Sequence, residues 1–231
     1  YTVMMKNLVF FLLLQGSLII AQKPKKEIPK SIDSLTLKMS KKEGLITTYQ
    51  KESKVFFEIS KELLDKDLLM VTRFVRLPAN YQAYLNAGSK TSQQLIHFIK
   101  KGPQILLTQE SYVNIADEKD PISLSVALNN FPPILAIFKI KNIENDRYLI
   151  DVSNYFNDDS PGFNIIRKGL KKEYGIGNPD GKRSYIDTIK SFPKNTEILH
   201  TLTYKASSAP RTNPTNTCLL YTSDAADDGT G

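Results

Sequence analysis

Histidine is the first residue type to examine for catalytic or metal chemistry, and this sequence of 231 residues has two, His97 and His200. A zinc-binding protease helix carries His-Glu-x-x-His, in which both histidines bind the metal and the glutamate acts as general base. Neither histidine has that pattern, and each lies in an apolar run typical of a strand. We interpret both as ordinary strand residues, and we expect no catalytic, cofactor-binding or metal-binding residue in this chain.

Carboxylates form two short clusters, one of Asp117, Glu118 and Asp120 and one of Asp158 and Asp159. Oxygen ligands bind calcium when they recur at alternate positions of a dedicated loop. That regular spacing is missing here, and solvation of a loop explains both clusters equally well. Calcium therefore remains an alternative, and we prefer the solvated-loop interpretation.

Other catalytic motifs are weak or missing. Residues 175–181 (GIGNPDG) superficially resemble a phosphate loop, but no strand precedes them and no Lys-Ser/Thr follows, which favours a turn. The Gly-x-Ser-x-Gly motif of serine hydrolases does not occur. The single cysteine, Cys218, lies in a segment interpreted below as foreign, so a thiol nucleophile, a disulfide framework and a thiolate metal site are excluded.

The two ends of the sequence carry segments of a different kind. Lys6 precedes an almost wholly apolar run, residues 8–20, that ends at Ala21, and this layout predicts a signal peptide over residues 4–21. The run is short for a membrane anchor, which is the alternative, so we expect only transient membrane contact during export. Residues 218–228 (CLLYTSDAADD) resemble translated sequencing-adapter DNA, and we expect genuine sequence to end near Thr217, with residues 218–231 an artefact.

Composition indicates an exported globular body. The formal net charge is +7, with lysines concentrated in residues 22–42, which we interpret as a solvated, flexible basic leader; contact with acidic envelope polymers is the alternative. Export makes nucleic acid a poor partner, and we expect none. The protein is expected in the periplasm, on the outer surface or outside the cell. A hydrophobic content of 41% supports a packed core.

Short apolar runs separated by polar turns predict antiparallel hairpins. The paired runs are 45–50 with 54–59, 94–99 with 104–109, and 134–142 with 147–152. Residues 68–77 predict a strand that is buried on both faces at its start, because the apolar run there is nearly continuous. Residues 196–204 predict the last strand.

Short helices complete the prediction. Asp120 as N-cap and Pro121 at the first helical position predict a helix that ends near Asn130. A helical turn is expected at 153–156, and apolar residues at helical spacing predict a helix over 183–192. Hairpins in place of strand-helix-strand units favour a strand-rich α+β fold of antiparallel hairpins with a few short helices.

Four strings carry a family resemblance: 54–59 (KVFFEI), 62–73 (ELLDKDLLMVTR), 132–140 (PPILAIFKI) and, most specifically, 183–197 (RSYIDTIKSFPKNTE). They resemble the two N-terminal domains of unknown function of a family of secreted bacterial zinc-dependent metalloproteases. The resemblance assigns residues 43–86 to the first domain and 87–217 to a truncated second domain.

The resemblance implies a metzincin-like catalytic domain downstream, where histidines bind zinc and a glutamate activates water. None of those ligands maps onto this chain, so the fragment itself is expected to be inactive and its parent to be a metallopeptidase. The expected role is to scaffold the chain's own downstream catalytic domain or to present a peptide or protein substrate. The alternative is a stand-alone exported module that binds envelope glycan or protein through Tyr81, Tyr84 and the lysines.

Overall fold

The computed structural model describes residues 31–77, 86–163, 166, 168–173, 175–207 and 218–225. The predicted signal peptide, most of the basic leader, Tyr81, Tyr84 and the adapter residues 226–231 lie outside these ranges. Within the described ranges, no helix has the length and apolar character needed to cross a membrane.

The described strands form one sheet of twelve, in which all neighbouring strands pair antiparallel. The strand-rich α+β prediction is therefore confirmed. The strand order is β1-β2-β3-β8-β7-β6-β5-β4-β12-β11-β10, and β9 pairs with β11 beside this path. The strands are β1 Ser40–Lys42, β2 Thr47–Lys51, β3 Lys54–Ser60, β4 Leu68–Arg76, β5 Lys90–Lys101, β6 Gln104–Glu110, β7 Ile134–Glu144, β8 Arg147–Asp151, β9 Ile176–Pro179, β10 Tyr185–Ser191, β11 Thr196–Ala206 and β12 Cys218–Ala225.

Helices in the described ranges are short and serve as connections or covers. They are α1 Ile32–Thr36, a 3-10 turn Lys61–Leu63, α2 Ser123–Asn129, α3 Ser153–Phe156 and α4 Lys168–Glu173. Of these, α1 begins with a capping bond, because the Ser31 hydroxyl accepts a hydrogen bond from the Ser34 N–H. The helical turn predicted at 153–156 is present as α3.

The sheet curls until its first and last strands meet along a seam. The N–H of Leu45 donates to the carbonyl of Phe192 at 2.6 Å, and the Ser191 hydroxyl donates to the carbonyl of Ile46 at 2.5 Å. Gly44 lies at this seam, where a Cβ would stand 2.5 Å from both the backbone nitrogen and oxygen of Phe192. Only a residue without a side chain fits that approach without movement of the backbone.

The concave side of the sheet holds the main core, and a smaller core lies under α1. Alternate residues of β3 point to opposite sides, and both sides are buried. Phe57 packs in the main core, whereas Phe56 packs with Ile32 of α1 and with Leu149. The helix α1 therefore covers the outer face of β3 and β8.

Strand β4 is half-buried, and the prediction of burial on both faces was wrong. Leu68 and Met70 are buried, while Leu69 and Val71 between them are only partly covered. The apolar residues are continuous in the sequence, but the alternation of the strand turns every second one away from the core.

The prediction of a helix over 183–192 was also wrong, because this segment forms β10. Its register against β11 shifts between Ile186 and Thr188, which marks a β-bulge. The bulge brings Ile186 and Ile189 to the same buried face although they are three residues apart. That spacing is the one by which a helix is predicted, so the sequence pattern misled.

Several boundaries differ from the sequence predictions. Regular structure starts within residues 22–42, because part of the expected flexible leader forms α1 and β1. Strand β5 begins at Lys90, before the predicted start at residue 94. The helix α2 begins at Ser123 and not directly after Asp120, because residues 120–123 form a turn in which the Ser123 N–H donates to the carbonyl of Asp120. The glycine-rich segment expected to be a turn contains β9.

The predicted adapter segment supplies β12, which pairs with β11 from Thr203↔Cys218 to Thr196↔Ala225 and with β4 on its other side. Pairing of this kind uses backbone groups that every strand offers. The adapter origin of residues 218–231 stays a prediction, because strand pairing is independent of the origin of the coding DNA.

The seam predicts that Gly44→Ala destabilises the fold. The added methyl must displace the Phe192 backbone, and we expect a loss of about 2 kcal/mol or more in the free energy of unfolding, measured by urea denaturation. Gly169→Ala in α4 is the control, because its methyl meets nothing within 4 Å and should change stability by less than about 1 kcal/mol, in the stabilising direction. Equal stability of the Gly44→Ala variant and the wild type would contradict the importance of the seam.

Candidate functional site

His200 lies in the main core on β11. Its Nδ1–H donates to the carbonyl of Phe156, and its ring meets the rings of Phe156 and Phe163 edge-on at centroid distances of 5.6 and 5.4 Å. Burial lowers the pKa of His200 to about 3, so the imidazole is neutral in the folded protein. The structure thus gives His200 a packing role.

His97 lies on β5 in a partly covered polar cluster. Its Nε2 contacts Asp67 Oδ1 at 2.5 Å, and the Tyr112 hydroxyl donates to the same oxygen at 2.9 Å. These hydrogen bonds hold the pKa of the Asp67 carboxyl below its usual range. The other ring nitrogen faces Glu110 Oε1 at 3.7 Å. The two nitrogens face different carboxylates, and only the Asp67 contact is within hydrogen-bond distance, which favours a local polar contact over a common ligand set.

Sequence reasoning missed this cluster because Asp67 lies 30 residues from His97 and 45 from Tyr112. The pairing of β4 with β5 and of β5 with β6 brings the three segments together.

Three of the five carboxylates in the two acidic clusters have local side-chain contacts. Asp117 Oδ1 accepts the N–H of Lys119, Asp158 Oδ1 accepts the N–H of Asp159, and Asp159 forms an ion pair with Lys171. Among the residues that the structure describes, no three His, Cys, Asp or Glu side chains converge as a metal site would require.

An unusual apolar surface lies on the connection between β6 and β7. We call its six members the apolar face: Val113 (86% exposed), Ile115 (71%), Ile122 (61%), Leu124 (68%), Leu128 (72%) and Phe131 (76%). Leu124 and Leu128 are four residues apart on α2 and thus share one side of that helix. The helix α2 buries none of its residues, so packing within the described chain does not explain its apolar side chains.

The connection that carries the apolar face is tied down at its base. The Gln109 N–H donates to the carbonyl of Pro133 at 2.9 Å, which closes the connection where it leaves and re-enters the sheet. The Asn114 amide donates to the Asn130 side chain at 2.9 Å and bridges its two halves. Tyr112 adds the contact to Asp67 described above. An ordered segment with exposed apolar side chains is typical of an interaction surface.

The fold and its surfaces define a strand-rich α+β protein whose candidate functional feature is an interaction surface. A family described as Domain of unknown function (DUF5117) matches residues 88–223, and one described as Domain of unknown function (DUF5118) matches residues 29–77. The first match covers more than half of the chain, and the chain therefore belongs to the DUF5117 family. Comparisons with curated proteins and with solved structures found no match.

The two matched segments share one sheet. Strand β3 of the first segment pairs with β8 of the second, and β4 pairs with β5 across the boundary between the matches. Their cores are also common, since Phe57 of the first segment packs against Phe156 of the second at a centroid distance of 5.8 Å. The two families thus meet here in a single hydrogen-bonded unit.

The buried imidazole predicts a pH dependence of stability. The pKa of His200 is about 3 in the folded chain and near 6.5 when unfolded, so between these values only the unfolded chain binds the proton. Stability therefore falls as the pH drops below 6.5. We expect a loss of about 1 kcal/mol in the free energy of unfolding from pH 7 to pH 5.5, measured by urea denaturation. His200→Gln should flatten this dependence; an unchanged slope in that variant would contradict the assignment.

Proposed function

We propose that this chain is the non-catalytic N-terminal region of an exported zinc-dependent metalloprotease and that it scaffolds the catalytic domain downstream. The strings at 54–59, 62–73, 132–140 and 183–197 support the family part of the proposal. Membership in a family of domains of unknown function is compatible with it. The observation that carries the scaffold role is the apolar face.

The energetics favour a lasting partner for this face. Burying a Leu, Ile or Phe side chain contributes roughly 1.5–3 kcal/mol, and six such side chains lie exposed between residues 113 and 131. Obligate interfaces resemble a domain core cut in half, and a domain of the same polypeptide is always present at high effective concentration. A catalytic domain packed on the apolar face would cover these side chains throughout the life of the protein.

In this proposal the zinc chemistry belongs to the downstream domain, whose histidines bind the metal and whose glutamate activates water. The present chain contributes rigidity. The sheet is the rigid part of the scaffold, and the hydrogen-bonded connection between β6 and β7 is the surface that contacts the catalytic domain. Export by a cleaved signal peptide is part of the same proposal.

The second candidate is a stand-alone exported module that binds envelope glycan or protein. Tyr81 and Tyr84, which that hypothesis assigns to binding, lie outside the described residues. The gene distinguishes the two candidates. A His-Glu-x-x-His codon run within a few hundred codons downstream supports the protease, and a genuine early stop codon supports the module.

A charge placed on the apolar face should weaken domain packing without unfolding this chain. We expect Leu124→Lys/Leu128→Lys in the full-length parent to speed protease cleavage between the regions at least about tenfold, because two apolar contacts are lost. Ser125→Lys/Ala127→Lys is the matched control, since it adds the same charge to exposed positions of α2. The melting temperature of the isolated chain should not change in either variant.

The scaffold role fails under two results. One is that both double variants are cleaved at the wild-type rate. The other is that the N-terminal region is released readily from the wild-type parent while the remainder keeps full peptidase activity.

A further inference from the structure

A basic cleft lies between α4, β9 and the end of β11. Its open volume is about 680 Å³, which is within the range of ligand-binding clefts. The described part of its lining contains four lysines and no carboxylate: Lys168, Lys171, Lys172, Gly175, Ile176, Gly177, Lys205, Ala206 and Ser207. Like charges at this density repel one another, so the arrangement is most favourable with an anion between them.

Backbone hydrogen bonds join the segments that carry the lysines. The carbonyl of Gly175 accepts hydrogen bonds from both the N–H (2.9 Å) and the hydroxyl (3.1 Å) of Ser207, which ties the end of β11 to the turn after α4. Strand β9 pairs with β11 through Ala206↔Ile176. These contacts hold the backbone at Lys205 beside the turn that follows α4.

Local carboxylates leave most of this charge available. Lys171 is held by its ion pair with Asp159 and lies over the Tyr204 ring, 5.4 Å from its centroid. In the described ranges, Lys168, Lys172 and Lys205 have no carboxylate within ion-pair distance. The nearby Asp180 is bound by Arg183 at 2.8 Å, although the charge of Lys205 also contributes to the lowered pKa of Asp180.

We propose that this cleft binds an acidic glycan, through carboxylate or phosphate groups placed between the α4 lysines and Lys205. Lysine ammonium groups act as point charges and bind either oxyanion without the planar geometry that arginine imposes. Among the residues of the lining that the structure describes, none carries an aromatic ring on which a nucleic-acid base could stack, and we therefore prefer a glycan to single-stranded nucleic acid. The net charge of +7 draws such a polymer to the protein from a distance. This site is separate from the apolar face and does not depend on the scaffold role.

The test is calorimetric titration of the full chain at low salt with three probes: an oligogalacturonate, a phosphodiester-linked sugar oligomer, and a single-stranded oligothymidine. We expect the oligogalacturonate, the phosphodiester-linked sugar oligomer or both to bind, and Lys172→Glu/Lys205→Glu to weaken that binding at least about tenfold. Which of the two binds identifies the oxyanion. Lys101→Glu/Lys194→Glu is the control, because it changes the net charge equally at exposed positions outside the cleft. It should weaken binding less than about threefold.

Three results overturn the proposal. The first is no binding of either acidic oligomer by the folded wild type. The second is equal weakening in the two double variants, which would mean that only net charge matters. The third is tighter binding of the oligothymidine through the cleft lysines, which would assign the cleft to nucleic acid. Melting curves of both variants confirm that each is folded before titration.

Discussion

The rest of the structure depends on the backbone contact between Leu45 and Phe192, because it joins the two ends of the curled sheet. A sheet of this size twists, and an open version would leave two edges of unpaired N–H and C=O groups. The seam brings those edges together, while β12, from the segment interpreted as adapter sequence, joins β4 to β11 on the other side of the sheet. Gly44 permits the seam by carrying no side chain where the Phe192 backbone passes. Since the seam joins parts of both matched segments, neither segment can complete the core alone.

Buried polar groups also fix the relative positions of neighbouring strands near the seam. Glu58 of β3 is almost fully buried, and it accepts hydrogen bonds from the Tyr49 hydroxyl at 2.6 Å and from Arg147 at 2.8 Å. Burial and the Glu58 contact raise the pKa of Tyr49, so the phenol remains a donor. A buried carboxylate is costly without partners and tolerable with two. These contacts link β2, β3 and β8 in one register and leave no freedom for the strands to slide.

Elements that depend on local contacts could be predicted from the sequence, and those that depend on distant contacts could not. The hairpins β2–β3, β5–β6 and β7–β8 carry their strands and turns within a few residues of one another. The helix α1 is held by a contact 112 residues away, the Ile32 N–H to Glu144 Oε2 bond of 2.9 Å, so its sequence looks like a linker. The bulge in β10 gave a strand the apolar spacing of a helix. The exposure of the apolar face could not be predicted either, because the spacing of Leu124 and Leu128 is also that of core residues. Only the structure shows that nothing in the described chain covers them.

The two candidate surfaces suit partners of different lifetimes. Burial of apolar side chains is not screened by salt as charge pairs are, so a partner on the apolar face would stay bound as the ionic strength rises. Charges in the open lysine cleft act over about 10 Å at moderate ionic strength and are screened as salt rises, so a ligand there exchanges readily. His200 is neutral and buried, so its imidazole does not reach the solvent. Both surfaces that we propose for recognition therefore lie on outer connections of the sheet, one between β6 and β7 and one around α4.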